Sequence, residues 1–343
     1  MKDNSPKRQH VIPKCYLKRF TEQGRAWVID TESDSCPYRT SLDNMLCVKD
    51  FYTTEGTNYT VEHWLSKGET KAEKVLSSLL DQMRIPEDKD KMDLAVFLAT
   101  LYLRGPWYRR LQLELYEGSV KWFSDYYFSD ENRFDKIYSD YVSKHGPNAI
   151  DKQLARKVLK EAKIEGNIAT EGYIGQMLYS LPRIAAIFSN MDITVWWGNV
   201  SNRMRFLTGD FPFVFEDKSN GIFAWPTYGL MDKRIRIYFP VSSLVCITLE
   251  YDGLKGIFPI TRSTFAPILN SQLGISMSRY VVSQTQDVSW FKKSKIFSSI
   301  NDYHLEFRAA KKDQPLVKMN NGEIEVTPRS AVWGKLKGDK RKN

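Results

Sequence analysis

The sequence has little cysteine and no long apolar run, and each shortage excludes a class of protein. Its four cysteines, at positions 15, 36, 47 and 246, form no CxxC pair, so we expect reduced thiols and a cytoplasmic location rather than a disulfide framework. The longest apolar run, residues 93–103, stops at Arg104 and is shorter than the roughly 20 residues of a membrane-spanning helix. No apolar segment follows the first eight residues as a secretion signal requires. We therefore expect no membrane partner.

Several motifs of cofactor and hydrolase chemistry are also absent. The sequence contains no GxGxxG, Walker, GxSxG or HExxH pattern, so we expect no nucleotide cofactor, and serine hydrolysis and the common zinc hydrolases are disfavoured. His304 and Glu306 form a His-x-Glu pattern, but the cysteine pair that a zinc deaminase adds to it is missing.

The positive charge lies at the two ends of the chain. The formal net charge is +9, of which residues 1–19 carry +5 and residues 335–343 carry +4. Such basic ends give a weak, salt-sensitive attraction to any polyanion. The charge distribution therefore indicates nucleic acid as a partner, bound through the basic termini. A solubilising tail is the alternative interpretation. The sequence indicates no oligomeric state.

Hydrophobic residues make up 42% of the chain, enough for a globular core, and their spacing changes near Met191. Before that residue the apolar positions recur at helical spacing, in stretches at about 60–82, 91–117, 119–128, 131–144, 151–163 and 169–190. After it come short β-branched or aromatic segments, among them 204–208, 221–225, 234–239 and 244–249. We predict an α+β protein with an N-terminal helical half packed on a C-terminal, mostly antiparallel sheet.

This change of spacing divides the chain into three predicted parts. Residues 1–190 form the N-terminal segment and helical half, residues 191–309 form a mixed β-rich half that shares its core, and residues 310–343 form a polar, basic tail. The short N-terminal strand predicted at 26–30 needs a partner, and we expect it to pair with one of the later strands.

Three pieces of the chain resemble one family. They are Arg8-Gln-His-x-x-Pro-x-x-Tyr-Leu-x-x-Phe20 with Lys49-Asp-Phe-Tyr52, a helical pair that carries Glu62, Glu69 and Arg104-x-Pro106, and Thr208-Gly-Asp-Phe-Pro212 with Phe239-Pro-Val-Ser242 and Asn270. Together they resemble the domain-of-unknown-function (DUF) 4238 family of mostly bacterial proteins. The resemblance implies little chemistry. Gly209 and Phe211 replace the family's usual Ser and Asn, so a ligand of those side chains in relatives would be bound differently here.

Glu62 and Glu69 are candidate metal ligands. They lie two helical turns apart at the edge of an apolar stripe centred on Val61, where half-burial shifts the pKa of a carboxylate. Two turns are about 10 Å, too far for both to hold one ion unaided, whereas Glu69 and Glu73 could share one. The alternative is a structural pair of carboxylates, each satisfied by Lys or Arg.

Arg104 and His10 are candidate catalytic residues. Arg104 follows Phe97 by seven residues, on the rim of an apolar face, where a guanidinium binds either a carboxylate such as Glu62 or Glu69, or a substrate phosphate. His10 is one of four histidines and is either a general base or a hydrogen-bonded core residue.

Asp210 is the third candidate, for catalysis and for metal binding. It follows a predicted strand at 205–208 and precedes Pro212, a place where nucleases hold divalent cations and where Asx turns form. With Glu216 and Lys218 it faintly resembles the carboxylate-and-lysine core of restriction-type nucleases.

These residues together lead to one functional hypothesis. We expect a metal-dependent phosphodiester hydrolase, nuclease-like, in host defence or mobile-element biology. Mg²⁺ or Mn²⁺ would be held by Glu62, Glu69 or Asp210, Arg104 would bind the phosphate, and His10 would move the proton. The alternative is a non-catalytic recognition or nucleic-acid-binding module, in which the same polar residues form structural ion pairs.

Overall fold

A computed structural model describes most of the chain. The described residues are 8–49, 60–161, 169–198, 205–223, 229–275, 279–311, 317–320 and 323–326. They form two compact units. The first holds the described residues of 1–109 and 169–314, and the second holds those of 110–168 and 315–326.

The helices lie mainly in the N-terminal half of the described chain. They are α1 (Lys14–Leu17), α2 (Thr60–Asp81), α3 (Asp88–Arg104), α4 (Pro106–Phe128), α5 (Glu131–His145), α6 (Lys152–Glu161), α7 (Thr170–Ser189), α8 (Phe265–Ile275) and α9 (Ile300–Lys311).

The strands lie mainly in the C-terminal half. They are β1 (Arg8–His10), β2 (Arg25–Asp30), β3 (Tyr38–Ser41), β4 (Cys47–Lys49), β5 (Asp192–Trp197), β6 (Thr208–Gly209), β7 (Val214–Asp217), β8 (Ile222–Phe223), β9 (Ile235–Pro240), β10 (Val245–Glu250), β11 (Gly256–Pro259), β12 (Tyr280–Ser283), β13 (Trp290–Lys292), β14 (Lys295–Phe297), β15 (Val317–Asn320) and β16 (Glu323–Val326).

Two sheets organise the first unit. A six-stranded sheet has the order β11-β5-β10-β9-β7-β8, and a four-stranded sheet has the order β3-β2-β12-β6. All of their described pairings are antiparallel except that of β11 with β5. The N-terminal strand β2 pairs with β12, so the expected pairing with a later strand is observed. The predicted α+β class is confirmed, whereas the boundaries after residues 190 and 309 stay predictions.

The six-stranded sheet is covered on both faces, which explains why all six residues of β10 are buried. On one face, Phe213 packs its ring 5.7 Å from that of Tyr102 in α3 and 6.1 Å from that of Phe188 in α7. On the other face, the Tyr238 ring lies 5.9 Å from that of Phe265 in α8. Because successive strand residues point to opposite faces, a strand that is covered on both sides is mostly apolar, and four of the six residues of β10 are.

Three elements differ from the sequence prediction. The helix predicted over 91–117 is broken at Gly105, which is extended at φ −69° and ψ 156°, and α4 begins at Pro106 because proline favours the first position of a helix. The strand predicted at 205–208 is replaced by the two-residue strand β6 (Thr208–Gly209). The Leu207 N–H donates its hydrogen bond to the side chain of Asn270 and not to a neighbouring strand. Within the segment predicted as a polar tail, β15 pairs with β16.

The second unit contains α5 and α6. The side chain of Asp130 caps α5 by accepting a hydrogen bond from the Arg133 N–H, and Gly146 ends it at a φ of +54° that favours glycine. Phe134 and Ala155 are buried, and Lys152 and Arg156 of α6 pair with Asp135 and Glu131 of α5. No helix of the described chain is long and apolar enough to cross a bilayer.

Asn270 in α8 connects the helix to two loops through its buried side chain. Its Oδ1 accepts a hydrogen bond from the Leu207 N–H at 2.9 Å, and its Nδ2 donates to the carbonyls of Arg205 and Ser289 at 2.9 and 2.8 Å. Side chains that satisfy several buried backbone groups are costly to remove, because the abandoned groups stay desolvated.

We therefore expect Asn270→Ala to lower the free energy of unfolding by about 3 kcal/mol, because three buried bonds are lost at once. Urea denaturation monitored by circular dichroism measures the change. Asn220→Ala, at an exposed turn, is the matched control and should cost less than about 1 kcal/mol. Equal effects of the two substitutions would contradict this role of Asn270.

Candidate functional site

The N-terminal motif forms a short two-stranded ladder with β4. The register pairs Arg8 with Lys49, Gln9 with Val48 and His10 with Cys47. Directly opposed residues of an antiparallel pair have their Cβ atoms about 5 Å apart on the same face. The ladder therefore brings the imidazole of His10 and the thiol of Cys47 together, although 37 residues separate them in sequence.

A cleft of about 100 Å³ lies beside this ladder. Its walls come from four segments of the first unit: the β1–β4 ladder and its flanks, the α3–α4 corner, the residue after β6, and two strands of the four-stranded sheet. The lining residues used below are Val11, Tyr38, Cys47, Pro106, Asp210 and Tyr280. We call this space the cleft.

Arg104 connects the elements around the cleft from the buried side. Its side chain is 6% exposed. Its Nη1 donates to Glu69 Oε1 at 2.6 Å, and its Nη2 donates to the backbone carbonyl of His10 at 2.5 Å. The guanidinium thus joins the end of α3 to α2 and to β1. Of the two ligands expected for it, the structure shows the carboxylate, because Glu69 occupies one edge of the guanidinium.

Asp210 reaches the cleft because the backbone passes very close to the α3–α4 corner. A Cβ atom on Gly105 would lie 2.8 Å from Trp107 Cδ1 and 3.0 Å from the Asp210 carbonyl, so no larger residue fits there. The Asp210 carboxylate is buried and accepts a hydrogen bond from the Tyr280 N–H at 3.0 Å. The next residue, Phe211, packs 4.5 Å from the ring of Trp107 and belongs to the core.

His10 is half-buried, and its surroundings favour the neutral imidazole. Burial, followed by the positive charges of Lys14 and Arg104, lowers its pKa from 6.5. Its Nδ1 lies 3.0 Å from the Met45 carbonyl, and a carbonyl oxygen only accepts, so Nδ1 carries the hydrogen. The lone pair is then on Nε2. Cys47 Sγ lies 3.4 Å from both ring nitrogens.

The candidate metal ligands are separated by their partners. Glu69 binds Arg104, Glu73 binds Lys18 and Arg19, and Asp210 receives the Tyr280 N–H. Glu62 lies on α2, and its side chain is outside the described residues. Among the side chains that the structure describes, no group of three or more His, Cys, Asp or Glu is arranged to hold an ion.

Glu216 and Lys218 belong to another cluster of charges, on the six-stranded sheet. Arg236 of β9 bridges Glu216 at 3.2 Å and Glu250 at 3.0 Å, and Lys218 lies 3.2 Å from the same Glu250 carboxylate. The arginine occupies the space between the two carboxylates, where a nuclease of the restriction type would hold its ion.

The sequence predicted four site residues that lie near one another in the structure, at or next to the cleft. They are His10, Glu69, Arg104 and Asp210. Arg104 contacts both Glu69 and His10, while Cys47, the partner of His10, lines the cleft together with Asp210. Cys47 was missed. Its only sequence signal was its position just before the Lys49-Asp-Phe-Tyr52 piece.

The lowered pKa of His10 makes stability depend on pH. The unfolded imidazole, with its ordinary pKa of 6.5, binds its proton before the folded one does, so acid favours unfolding. We expect the melting temperature to fall as the pH drops below about 6.5, and His10→Gln to weaken this dependence. Thermal melts between pH 5 and 7.5 measure it, with the exposed His145→Gln as control. An unchanged pH dependence in His10→Gln would refute the assignment.

Comparison with known proteins identifies the family of the chain. No curated protein and no solved structure matches the chain. The family model described as "Protein of unknown function (DUF4238)" matches residues 8–287, a range that begins at β1 and includes Glu62, Arg104 and Asp210. The predicted resemblance is confirmed: the chain belongs to the DUF4238 family.

Proposed function

We propose that this protein is a metal-dependent phosphodiester hydrolase with nuclease activity, and that the cleft is its active site. The observation that carries the proposal is a half-buried imidazole beside the cleft with two cations near it. Burial lowers the pKa of His10, Lys14 and Arg104 lower it further, and Asp43, which pairs with Lys14, raises it. Cations near a cleft favour an anionic substrate such as a phosphodiester.

His10 is the proton acceptor in this proposal. Its Nδ1–H donates to Met45 O, which fixes the ring and leaves the Nε2 lone pair to take a proton from the attacking water. The lowered pKa keeps the imidazole unprotonated at neutral pH. A general base is useful only in that form.

Mg²⁺ or Mn²⁺ belongs to the proposal, and Glu62 or Glu69 on α2, or Asp210 at the cleft, would hold it. Such an ion supplies a water of low pKa and neutralises charge on the phosphate. The described carboxylates are not arranged around an ion, because Glu69 already forms an ion pair with Arg104.

Arg104 holds the strand that carries His10. Because its guanidinium is 6% exposed and holds the His10 carbonyl, it is a positioning residue for β1 and a source of positive potential. In the proposed cytoplasmic, bacterial setting of defence or mobile-element biology, the basic ends of the chain would add salt-sensitive attraction to nucleic acid. Residues 335–343 lie outside the described chain.

Cleavage of mixed DNA and RNA with Mn²⁺, against a chelator control, tests the proposal. We expect metal-dependent cleavage by the native protein and losses of about 10²-fold or more in His10→Gln and Asp210→Asn. His145→Gln, the same change on an exposed histidine of α5, should retain full activity. Absence of metal-dependent cleavage, or native rates in both cleft variants, rejects the proposal.

The burial of Arg104 favours a second candidate, a non-catalytic recognition module. Its bonds to Glu69 and to the His10 carbonyl are those of a structural ion pair, which holds two helices and a strand in register. In a recognition module the polar residues of the family motifs would serve this purpose alone.

This candidate predicts a stability loss. Arg104→Ala leaves Glu69 and the His10 carbonyl without their donor, so we expect about 3 kcal/mol of destabilisation and a melting temperature several degrees lower. Arg110→Ala removes an arginine that is 39% exposed and pairs with Glu114 four residues on, and should cost less than about 1 kcal/mol. A melting temperature that is unchanged or raised in Arg104→Ala would contradict a structural role of this arginine.

A further inference from the structure

The helix α4 has almost no core of its own. It spans 23 residues, and Trp107 in its first turn is its one buried side chain. Every later residue of α4, all of them described, is partly or fully exposed. Most of the stability of a helix in a protein comes from the packing of an apolar face and not from the helix itself. Over most of its length, α4 therefore lacks the contact that would stabilise it.

The large apolar side chains of α4 lie on its surface instead. Tyr116 and Phe123 are each 53% exposed, and Tyr126 and Trp122 are 42% and 37% exposed. The Trp122 ring stacks 5.5 Å from that of Tyr126, and the Phe123 ring stacks 6.1 Å from that of Tyr127. The two stacked pairs meet edge to face at 5.1 and 5.2 Å. These four rings thus form one continuous aromatic surface.

The helices that follow α4 do not supply the missing core. Among the described side chains of residues 110–161, the buried apolar ones are Phe134 and Ala155. Five further large apolar side chains in this range are exposed, namely Ile137, Ile150, Leu154, Val158 and Leu159. This part of the chain therefore exposes more large apolar side chains than it buries, which is typical of a surface that a partner covers.

The spacing along α4 indicates what kind of partner covers it. Four of its apolar residues follow one another at steps of four, three and four: Tyr116, Val120, Phe123 and Tyr127. We call this row the seam, since such spacing is that of a helix packed along another helix. The steps are the same in both directions, so an antiparallel copy of α4 meets the seam in register. Tyr116 then lies opposite Tyr127, and Val120 lies opposite Phe123.

Area and charge both fit a second copy of this chain. At about 200 Å² for a whole aromatic side chain, the four exposed rings of α4 offer about 400 Å². A homodimer interface buries about 800 Å² per partner, about two-thirds of it apolar, so these rings supply most of the apolar part. Residues 110–168 carry ten basic and ten acidic side chains. No net charge therefore separates two copies, and no excess of positive charge favours nucleic acid or an anionic membrane.

We propose that the protein forms a two-fold symmetric dimer in which the α4 helices of two copies pack antiparallel through the seam. Each contact of the seam occurs twice about the two-fold axis, as in any isologous interface. Trp122 and Tyr126 lie beside the seam on the helix and extend the apolar contact to one side. The proposal is independent of phosphodiester cleavage, because no residue of the cleft belongs to the seam.

Sedimentation equilibrium of the native protein tests the proposal. At micromolar concentration we expect twice the mass of the 39.9 kDa chain. Phe123→Glu places an unpaired charge in the seam and should raise the Kd of the dimer by about 10²-fold or more. Because Phe123 is half-exposed within one chain, circular dichroism should show the native helix content. Leu305→Glu, the same change at a side chain of α9 that is 56% exposed, is the matched control and should leave the dimer intact.

A mixture of two variants tests the register and separates loss of the interface from misfolding. Val120→Lys and Phe123→Glu should each be monomeric alone. In the antiparallel seam the new lysine of one copy lies opposite the new glutamate of the other, so we expect the mixture to dimerise at least about 10-fold more tightly than either variant. A native protein that is monomeric at every concentration, a Phe123→Glu protein that dimerises like the native one, or a mixture that stays monomeric would overturn the proposal.

Discussion

The site depends on one buried guanidinium. Arg104 is at the end of α3, almost out of contact with solvent, and it donates to Glu69 on α2 and to the backbone of His10 on β1. A charge that is removed from water must be met by hydrogen-bonding partners in fixed places. Two helices and the N-terminal strand are thereby held in one arrangement, and the position of the imidazole follows from it.

The neutral state of His10 is a consequence of the same arrangement. Arg104 and Lys14 place positive charge beside a half-buried ring, and the Met45 carbonyl selects the tautomer with its lone pair on Nε2. The thiol of Cys47 packs against the same ring, 3.4 Å from both of its nitrogens. Burial of the ring is the first cause of its lowered pKa, and the two cations add to it.

Close packing brings the second half of the chain to this site. Gly105 lets the backbone of Asp210 approach to a distance that a side chain would forbid, and Phe211 then enters an aromatic core with Trp107 and Tyr102. The Phe211 side chain is therefore part of the core beside the cleft. Asp210 itself lies at the wall of the cleft, where its carboxylate accepts a hydrogen bond from the Tyr280 N–H.

Periodicity and motif residues are local properties of the chain, and they were enough to predict the α+β class, the family, most helices and the polar residues around the cleft. The sequence predicted a carboxylate for Arg104 as one of two ligands. It did not determine the break at Gly105, the shift of the strand near Thr208, or the pairing of His10 with Cys47. Those depend on registers, close approaches and buried hydrogen bonds between segments far apart in sequence, and such distances exist only once the chain has folded.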